Sequence, residues 1–210
     1  MTEIISINSI AEREKEKVIN ALKSGEIIAY PTDTIYGLGV DVYNSCAVQK
    51  LIELKGRDYQ KPISILYPDV SLVLKDFSHL NPYQRELVKR LLPGQLTLTL
   101  PVVNRDQFPS EFVKGGYIGI RVVKFDALNR ILSKYPNPIS TTSVNPSGKI
   151  PAANVREILS YFDDYISIIL DSGPLQALSS TVIKVYDSRY EILRHGIVTF
   201  DQIEEKVSTR

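Results

Sequence analysis

Ile27-Ile28-Ala29-Tyr30-Pro31-Thr32-Asp33-Thr34-Ile35-Tyr36-Gly37-Leu38-Gly39 joins a short apolar run to a polar turn with two glycines. The run ends at proline, which cannot donate to a sheet ladder and biases Tyr30 toward extended backbone, so Ile27 to Tyr30 reads as a buried strand. Pro31 to Gly39 reads as the loop that follows. Thr32, Asp33 and Thr34 crowd two hydroxyls and a carboxylate into it, and Gly37 and Gly39 let a ligand or another strand approach the backbone closely.

Helices are expected on both sides of this strand. Upstream, Ser9-Ile10-Ala11-Glu12 has the form of a capping box, and Val18, Ala21 and Leu22 continue an apolar stripe until Gly25. Downstream, Ala47, Val48, Leu51, Ile52 and Leu54 form a second stripe that brings Lys55 and Arg57 to its C-terminal end, before a strand at Ile63 to Leu66. Asn81-Pro82 caps a third helix, and Leu96-Thr97-Leu98-Thr99-Leu100 alternates with period two. Tyr117 to Val123 reads as a strand, the stretch around Ala127 to Leu132 as a helix, and Ile139 leads into a hydroxyl-rich loop. Val155 to Phe162 reads as a helix and Ile166 to Leu170 as a strand. Ser180 to Val185 and Tyr190 to Leu193 read as two strands joined through Asp187-Ser188. Helices between strands, with hairpin-like strands beside them, predict an α/β fold built on an open, twisted, mixed sheet.

The composition excludes several classes. With 210 residues, 43% of them hydrophobic, and no Pro/Gly/Ser-rich linker, the chain is expected to form a single domain over 1–210. Net charge is +1, so any RNA contact would need a local basic patch. One cysteine, Cys46, and two histidines exclude an internal disulfide and argue against a Cys/His metal site. No basic region precedes an apolar stretch at the start and no run is long enough to span a membrane, so a cytoplasmic protein is expected.

Three segments carry polar groups beyond what turns need. They are Pro31 to Gly39, Lys55-Gly56-Arg57 with Lys61-Pro62, and Ser140-Thr141-Thr142-Ser143-Val144-Asn145-Pro146-Ser147-Gly148-Lys149. Lysine, arginine, hydroxyls and glycine-exposed amides together suit an anion, above all a triphosphate. Neither GxxxxGK[ST] nor GxGxxG is present, so ATP would bind by another scheme. The absence of a GxSxG elbow, with His79 and His195 showing no triad pattern, disfavours a serine nucleophile. Arg121 interrupts an apolar strand and needs an anionic partner, either a protein carboxylate or one carried by a ligand. Ser180 starts one strand and Arg194 ends the next; these ends are either neighbours or at opposite edges.

As a set, these segments resemble the YrdC-type family of L-threonylcarbamoyladenylate synthases. The resemblance rests on Pro31-Thr32-Asp33-Thr34 with Tyr36-Gly37-Leu38-Gly39, Lys55-Gly56-Arg57 with Lys61-Pro62, Pro93-Gly94, Gly119-Ile120-Arg121, Ser143 to Gly148, Ser180-Thr181-Val182-Ile183 and Arg194-His195-Gly196. It implies a deep, positively charged cleft. It also implies a nucleotidyltransferase that makes threonylcarbamoyl-AMP and pyrophosphate from L-threonine, bicarbonate and ATP, with Mg²⁺ on the ATP, for threonylcarbamoyladenosine modification of tRNA. By the same resemblance Thr32, Arg121, Thr141 and Ser180 hold threonine, while Lys55, Arg57, Ser143, Asn145 and Arg194 hold the nucleotide. Lys55 and Arg57 are expected to be catalytic through charge neutralisation, and no metal is expected on protein ligands. A tRNA-modification transferase complex and weak RNA binding are implied as partners, and no membrane.

The chain departs from the family pattern in having Asp33 where Glu is usual, Val144 for Ala and Ser179 for Glu, and in lacking a histidine in the strand after Pro62. Little chain follows Arg194, so the short form without the C-terminal domain of longer relatives is expected. The alternative is a YrdC-fold protein that binds RNA or nucleotide without catalysis. Base-stacking readers interleave aromatic and basic residues on strands, and the twelve tyrosines show no such spacing in the sequence.

Overall fold

The computed structural model describes residues 1–56, 63–175 and 178–208. Its elements in chain order begin with β1 (Glu3–Ser6), α1 (Glu12–Lys23), β2 (Ile28–Tyr30), β3 (Gly37–Gly39), α2 (Ser45–Leu54) and β4 (Ser64–Leu66). Next come α3 (Val70–Asp76), α4 (Pro82–Leu91), β5 (Leu96–Pro101), β6 (Val113–Lys114), β7 (Tyr117–Arg121) and α5 (Asp126–Leu132). Then follow β8 (Ile139–Ser143), α6 (Val155–Phe162), β9 (Ile168–Asp171), β10 (Thr181–Val185), β11 (Tyr190–Arg194) and α7 (Phe200–Ser208).

The strands form one mixed sheet in the order β1-β9-β2-β3-β8-β4-β7-β5-β10-β11, with β6 added on β7. Four pairs are parallel (β1 with β9, β9 with β2, β4 with β7, β5 with β10) and the others antiparallel, as the mixed-sheet expectation requires. Two loops foreseen in the sequence are strands in their functional halves. Gly37–Gly39 pairs antiparallel with β2 and with β8, and Ser140–Ser143 is the body of β8 itself. The hydroxyls of β8 misled because threonine and serine also suit a strand whose polar face meets a cavity. An ideal Cβ at Gly39 would lie 2.7 Å from the Tyr30 ring and 2.9 Å from the Ser140 carbonyl oxygen, so this glycine is required by close strand contact.

The first helix also begins later than expected. Ser6 to Ser9 is occupied by the end of β1 and a 3₁₀ turn, and Glu14, not Glu12, closes the N-terminus by accepting the Ala11 N–H at 2.8 Å. Asn44, Asp69, Asn81 and Asn154 cap α2, α3, α4 and α6 by accepting backbone N–H groups.

Period two then decides where the open space lies. On one face of the sheet, Leu96, Leu98 and Leu100 of β5, Ile118 and Ile120 of β7, and Ile183 and Val185 of β10 pack with α2, α4, α6 and α7 into one apolar core. On the other face, α1 and α5 cover only the half built by β1, β9, β2 and their neighbours, forming a second core around Val18, Leu22, Leu128 and Ile131. The remaining half presents the alternate residues of β5, β7 and β10. Those are Thr97 and Thr99, then Tyr117, Gly119 and Arg121, then Val182 and Lys184, and they line a cavity. Among the described residues no helix is long and apolar enough to cross a membrane.

Candidate active site

The cavity has a volume of about 440 Å³, within the range of small-molecule sites. Its walls come from Ile35, Tyr36 and Gly37 before and in β3, Ser64 of β4, and Thr141, Thr142 and Ser143 of β8, with Ser179, Ser180 and Arg194 closing one side. Lys114, Arg121, Lys184 and Arg194 line it, and no Asp or Glu does among the described residues. Such a lining favours an anionic, hydroxyl-bearing ligand.

Arg121 is the most deeply buried cation of the lining. It is 6% exposed, and burial pulls its pKa down while the nearby Asp33 pushes it back up. Of the two partners left open by the sequence, a protein carboxylate is present: Nη2 donates to Asp33 Oδ1 at 2.8 Å and to Thr34 Oγ1 at 3.2 Å. Nε is buried and has no partner. A buried donor on a charged group costs ~1–3 kcal/mol when left unmade, so this guanidinium retains capacity for an acceptor.

Ser180 and Arg194 are neighbours. β10 and β11 pair antiparallel with Val182 opposite Arg194, and Arg194 Nη2 donates to the Ser180 carbonyl at 2.8 Å and to its Oγ at 3.3 Å. The Ser180 hydroxyl also meets Thr97 Oγ1 at 2.8 Å. Burial lowers the Arg194 pKa, as desolvation does to any cation.

Gly196 makes this junction possible. An ideal Cβ there would lie 2.4 Å from the Ser179 carbonyl oxygen and 2.5 Å from the Ser180 carbonyl carbon and oxygen. These are backbone atoms with no flexible end to yield. Gly196→Ala should therefore cost about 1–3 kcal/mol, read as a lower melting temperature, and weaken ligand binding by parting Arg194 from Ser180.

Lys55 is not the solvated helix-end cation that its position allows. It is 2% exposed, and its ammonium donates to the Ser143 carbonyl and, at 3.2 Å, to Asn145 Oδ1. Ser143 Oγ meets the same Asn145 oxygen, while Asn145 Nδ2 donates to the Pro146 and Lys149 carbonyls at 2.9 and 2.7 Å. Lys55, Ser143 and Asn145 are thus one network, of which Ser143 lines the cavity while Lys55 and Asn145 are absent from its lining. Arg57, Lys61 and Pro62 lie outside the described residues.

Thr141 faces the cavity, whereas Thr32 is absent from its lining. The Thr32 hydroxyl donates to the Ile35 carbonyl at 2.7 Å and accepts the Thr34 N–H at 3.1 Å, which shapes the turn behind Arg121. Tyr36, Tyr117, Lys114 and Lys184 were missed as lining residues. For Lys184 and Tyr117 a signal existed, since each alternates with core residues, Ile183 and Val185 or Ile118 and Ile120. The Tyr36 hydroxyl donates to the Gly173 carbonyl at 2.8 Å and accepts the Ser172 N–H at 3.1 Å, and burial raises its pKa.

The Sua5/YciO/YrdC family model, described as telomere recombination, matches residues 20–196. The chain belongs to the Sua5/YciO/YrdC family. Within that family, the threonylcarbamoyl-AMP synthase of Vibrio parahaemolyticus is 33% identical over 159 residues, covering 74% of this chain and 84% of the relative. The threonylcarbamoyl-AMP synthase of Bacillus subtilis is 33% identical over 185 residues, 87% of this chain and 53% of the relative. The structure of Pyrococcus abyssi Sua5 complexed with L-threonine superposes with a TM-score of 0.85 at 26% identity, covering 99% of this chain and 61% of that one. This Sua5/YciO/YrdC chain therefore spans about half the length of the Bacillus relative and about three-fifths of the Pyrococcus one. Escherichia coli YciO, at 20% identity and a TM-score of 0.83, shares the fold.

Proposed function

We propose that this protein is an L-threonylcarbamoyladenylate synthase acting in tRNA modification in the cytoplasm. The observation that carries the reading is the set of cationic and hydroxyl side chains that line one cavity. Arg121, Ser180 and Arg194 line the cavity together with Ser143, through which the lining is tied to Lys55 and Asn145, and among the described residues no Asp or Glu is in the lining. A relative with this architecture is complexed with L-threonine.

In this reading Arg121, Thr141 and Ser180 hold the carboxylate and hydroxyl of threonine, with Thr32 setting the turn behind Arg121. The threonine amine attacks bicarbonate and water is lost, giving a carbamate. A carbamate oxygen then attacks the α-phosphorus of ATP, the bond to the β-phosphate oxygen breaks, and pyrophosphate leaves. Lys55, Arg57, Ser143, Asn145 and Arg194 take the nucleotide and its developing charge, so positioning and electrostatics supply the catalysis. Among the described residues there is no cluster of metal-ligating groups and no carboxylate in the cavity lining, so those residues offer no ligand set for a divalent cation. Mg²⁺ belongs to this proposal only as a companion of the incoming ATP.

Pyrophosphate release from ATP tests the reading. It should require both L-threonine and bicarbonate, with L-serine poorer by ~1–3 kcal/mol for want of the methyl. Release indifferent to threonine would sink it.

One observation favours the second reading, a non-catalytic RNA- or nucleotide-binding protein. The fold assembles an aromatic and basic row that the sequence spacing concealed: Lys184 lies 4.0 Å from the Tyr117 ring and 5.0 Å from the Tyr186 ring, and Arg189 lies 4.6 Å from Tyr186. Stacking platforms for bases are built in this way. RNA retention without threonine-dependent pyrophosphate release would favour it.

A further inference from the structure

The geometry points to Asp33 and Thr34 as the pair that sets substrate selectivity, by fixing the guanidinium of Arg121 in one orientation. This inference rests on the proposed threonine site and assigns to these two residues a positioning role in it. Asp33 is a buried carboxylate whose two oxygens are both engaged. Oδ1 accepts Arg121 Nη2 at 2.8 Å, and Oδ2 accepts the backbone N–H of Lys124, three residues beyond Arg121, at 2.9 Å. Its own carbonyl oxygen accepts from Gln95 Nε2, so β5, the end of β7 and the loop before β3 meet at this one residue. Thr34 Oγ1 gives Nη2 a second acceptor at 3.2 Å and is itself held at 2.9 Å by the Thr32 hydroxyl.

Two acceptors on one nitrogen fix the plane of the fork, while Nε is buried with no partner. Asp33 also offsets the charge of Arg121. An uncompensated buried arginine would attract any carboxylate, whereas a neutralised and oriented one rewards only a carboxylate that arrives in register with the hydroxyl contacts that Thr141 and Ser180 offer in the same cavity. Selectivity is therefore a better measure of this role than affinity.

The test compares L-threonine, D-threonine and acetate binding, with ATP as control, by calorimetry on the unsubstituted protein, Asp33→Asn and Thr34→Val, beside melting curves. Asp33→Asn keeps the shape but presents an amide N–H₂ to one of its two donors. The expected result is a fall of at least tenfold in the L-threonine over D-threonine preference for Asp33→Asn and about threefold for Thr34→Val, with ATP affinity within twofold. A preference unchanged in both variants overturns the positioning role. Where Asp33→Asn does not fold, Thr34→Val alone decides, because its isosteric side chain removes an acceptor and no charge. Absence of L-threonine binding by the unsubstituted protein overturns the substrate reading and this inference with it.

Discussion

Arg121→Met should lower the melting temperature and remove threonine binding together. Arg121 and Asp33 are both nearly inaccessible, with side chains 7% and 8% exposed, so deleting the cation strands a buried carboxylate. Breaking a buried pair in this way costs ~3–5 kcal/mol, which for a chain of this size lowers the melting temperature by about 6–20 °C. Threonine binding should fall by ~2–3 kcal/mol or more, as expected when a carboxylate loses charge-assisted hydrogen bonds. The two effects separate in the double variant Asp33→Asn/Arg121→Met. With both charges gone, stability should return most of the way to the starting value, because a neutral buried pair leaves no unpaired charge. Threonine affinity should not return. A double variant that binds threonine normally would move the carboxylate site away from Arg121, while one that stays unstable would deny that charge pairing is what Arg121 contributes to the fold.

The alternation of Leu96 to Leu100 shows what was legible in the sequence. Period two placed leucines on one face and threonines on the other, and the structure has the leucines in the core and the threonines on the cavity floor. The same rule applied to Tyr117, Gly119 and Arg121 makes one face of β7 the trough, and applied to Val182 and Lys184 it completes the floor. What no local pattern could give is strand order. Whether Arg194 lies beside Ser180, whether Lys55 reaches Ser143, and whether Arg121 finds Asp33 are contacts spanning 14, 88 and 88 residues. Those separations are set by the sheet and not by spacing. Serine and threonine runs suit turns, so the sequence alone presents the β8 hydroxyls as a loop, and only pairing with β3 and β4 makes them a strand. The aromatic and basic row failed for a similar reason, since Tyr117 and Lys184 come from strands joined through β5.

Lys55→Ala should cut turnover by a factor on the order of a hundred or more, the usual result of removing a charge stabiliser from a phosphoryl-type transition state. It should also destabilise the fold, which a solvated lysine would not do. Lys55 is 2% exposed, and its loss deprives the Ser143 carbonyl and Asn145 Oδ1 of a buried cationic donor while opening a void, at a cost of ~2–4 kcal/mol. The backbone of Lys55 would still accept the Ser147 N–H at 3.0 Å and Asn145 would keep its bonds to Ser143, Pro146 and Lys149, so the loop stays attached with one fewer tie to its asparagine. Lys55→Met separates packing from charge. Methionine fills most of the space of the lysine stem without the ammonium, so stability should recover by at least half while turnover stays at the alanine level. If turnover recovered with stability in Lys55→Met, the ammonium would be only a strut for the Ser143–Asn145 wall. The charge that draws pyrophosphate away would then have to come from Arg194 and the other cations of the cavity.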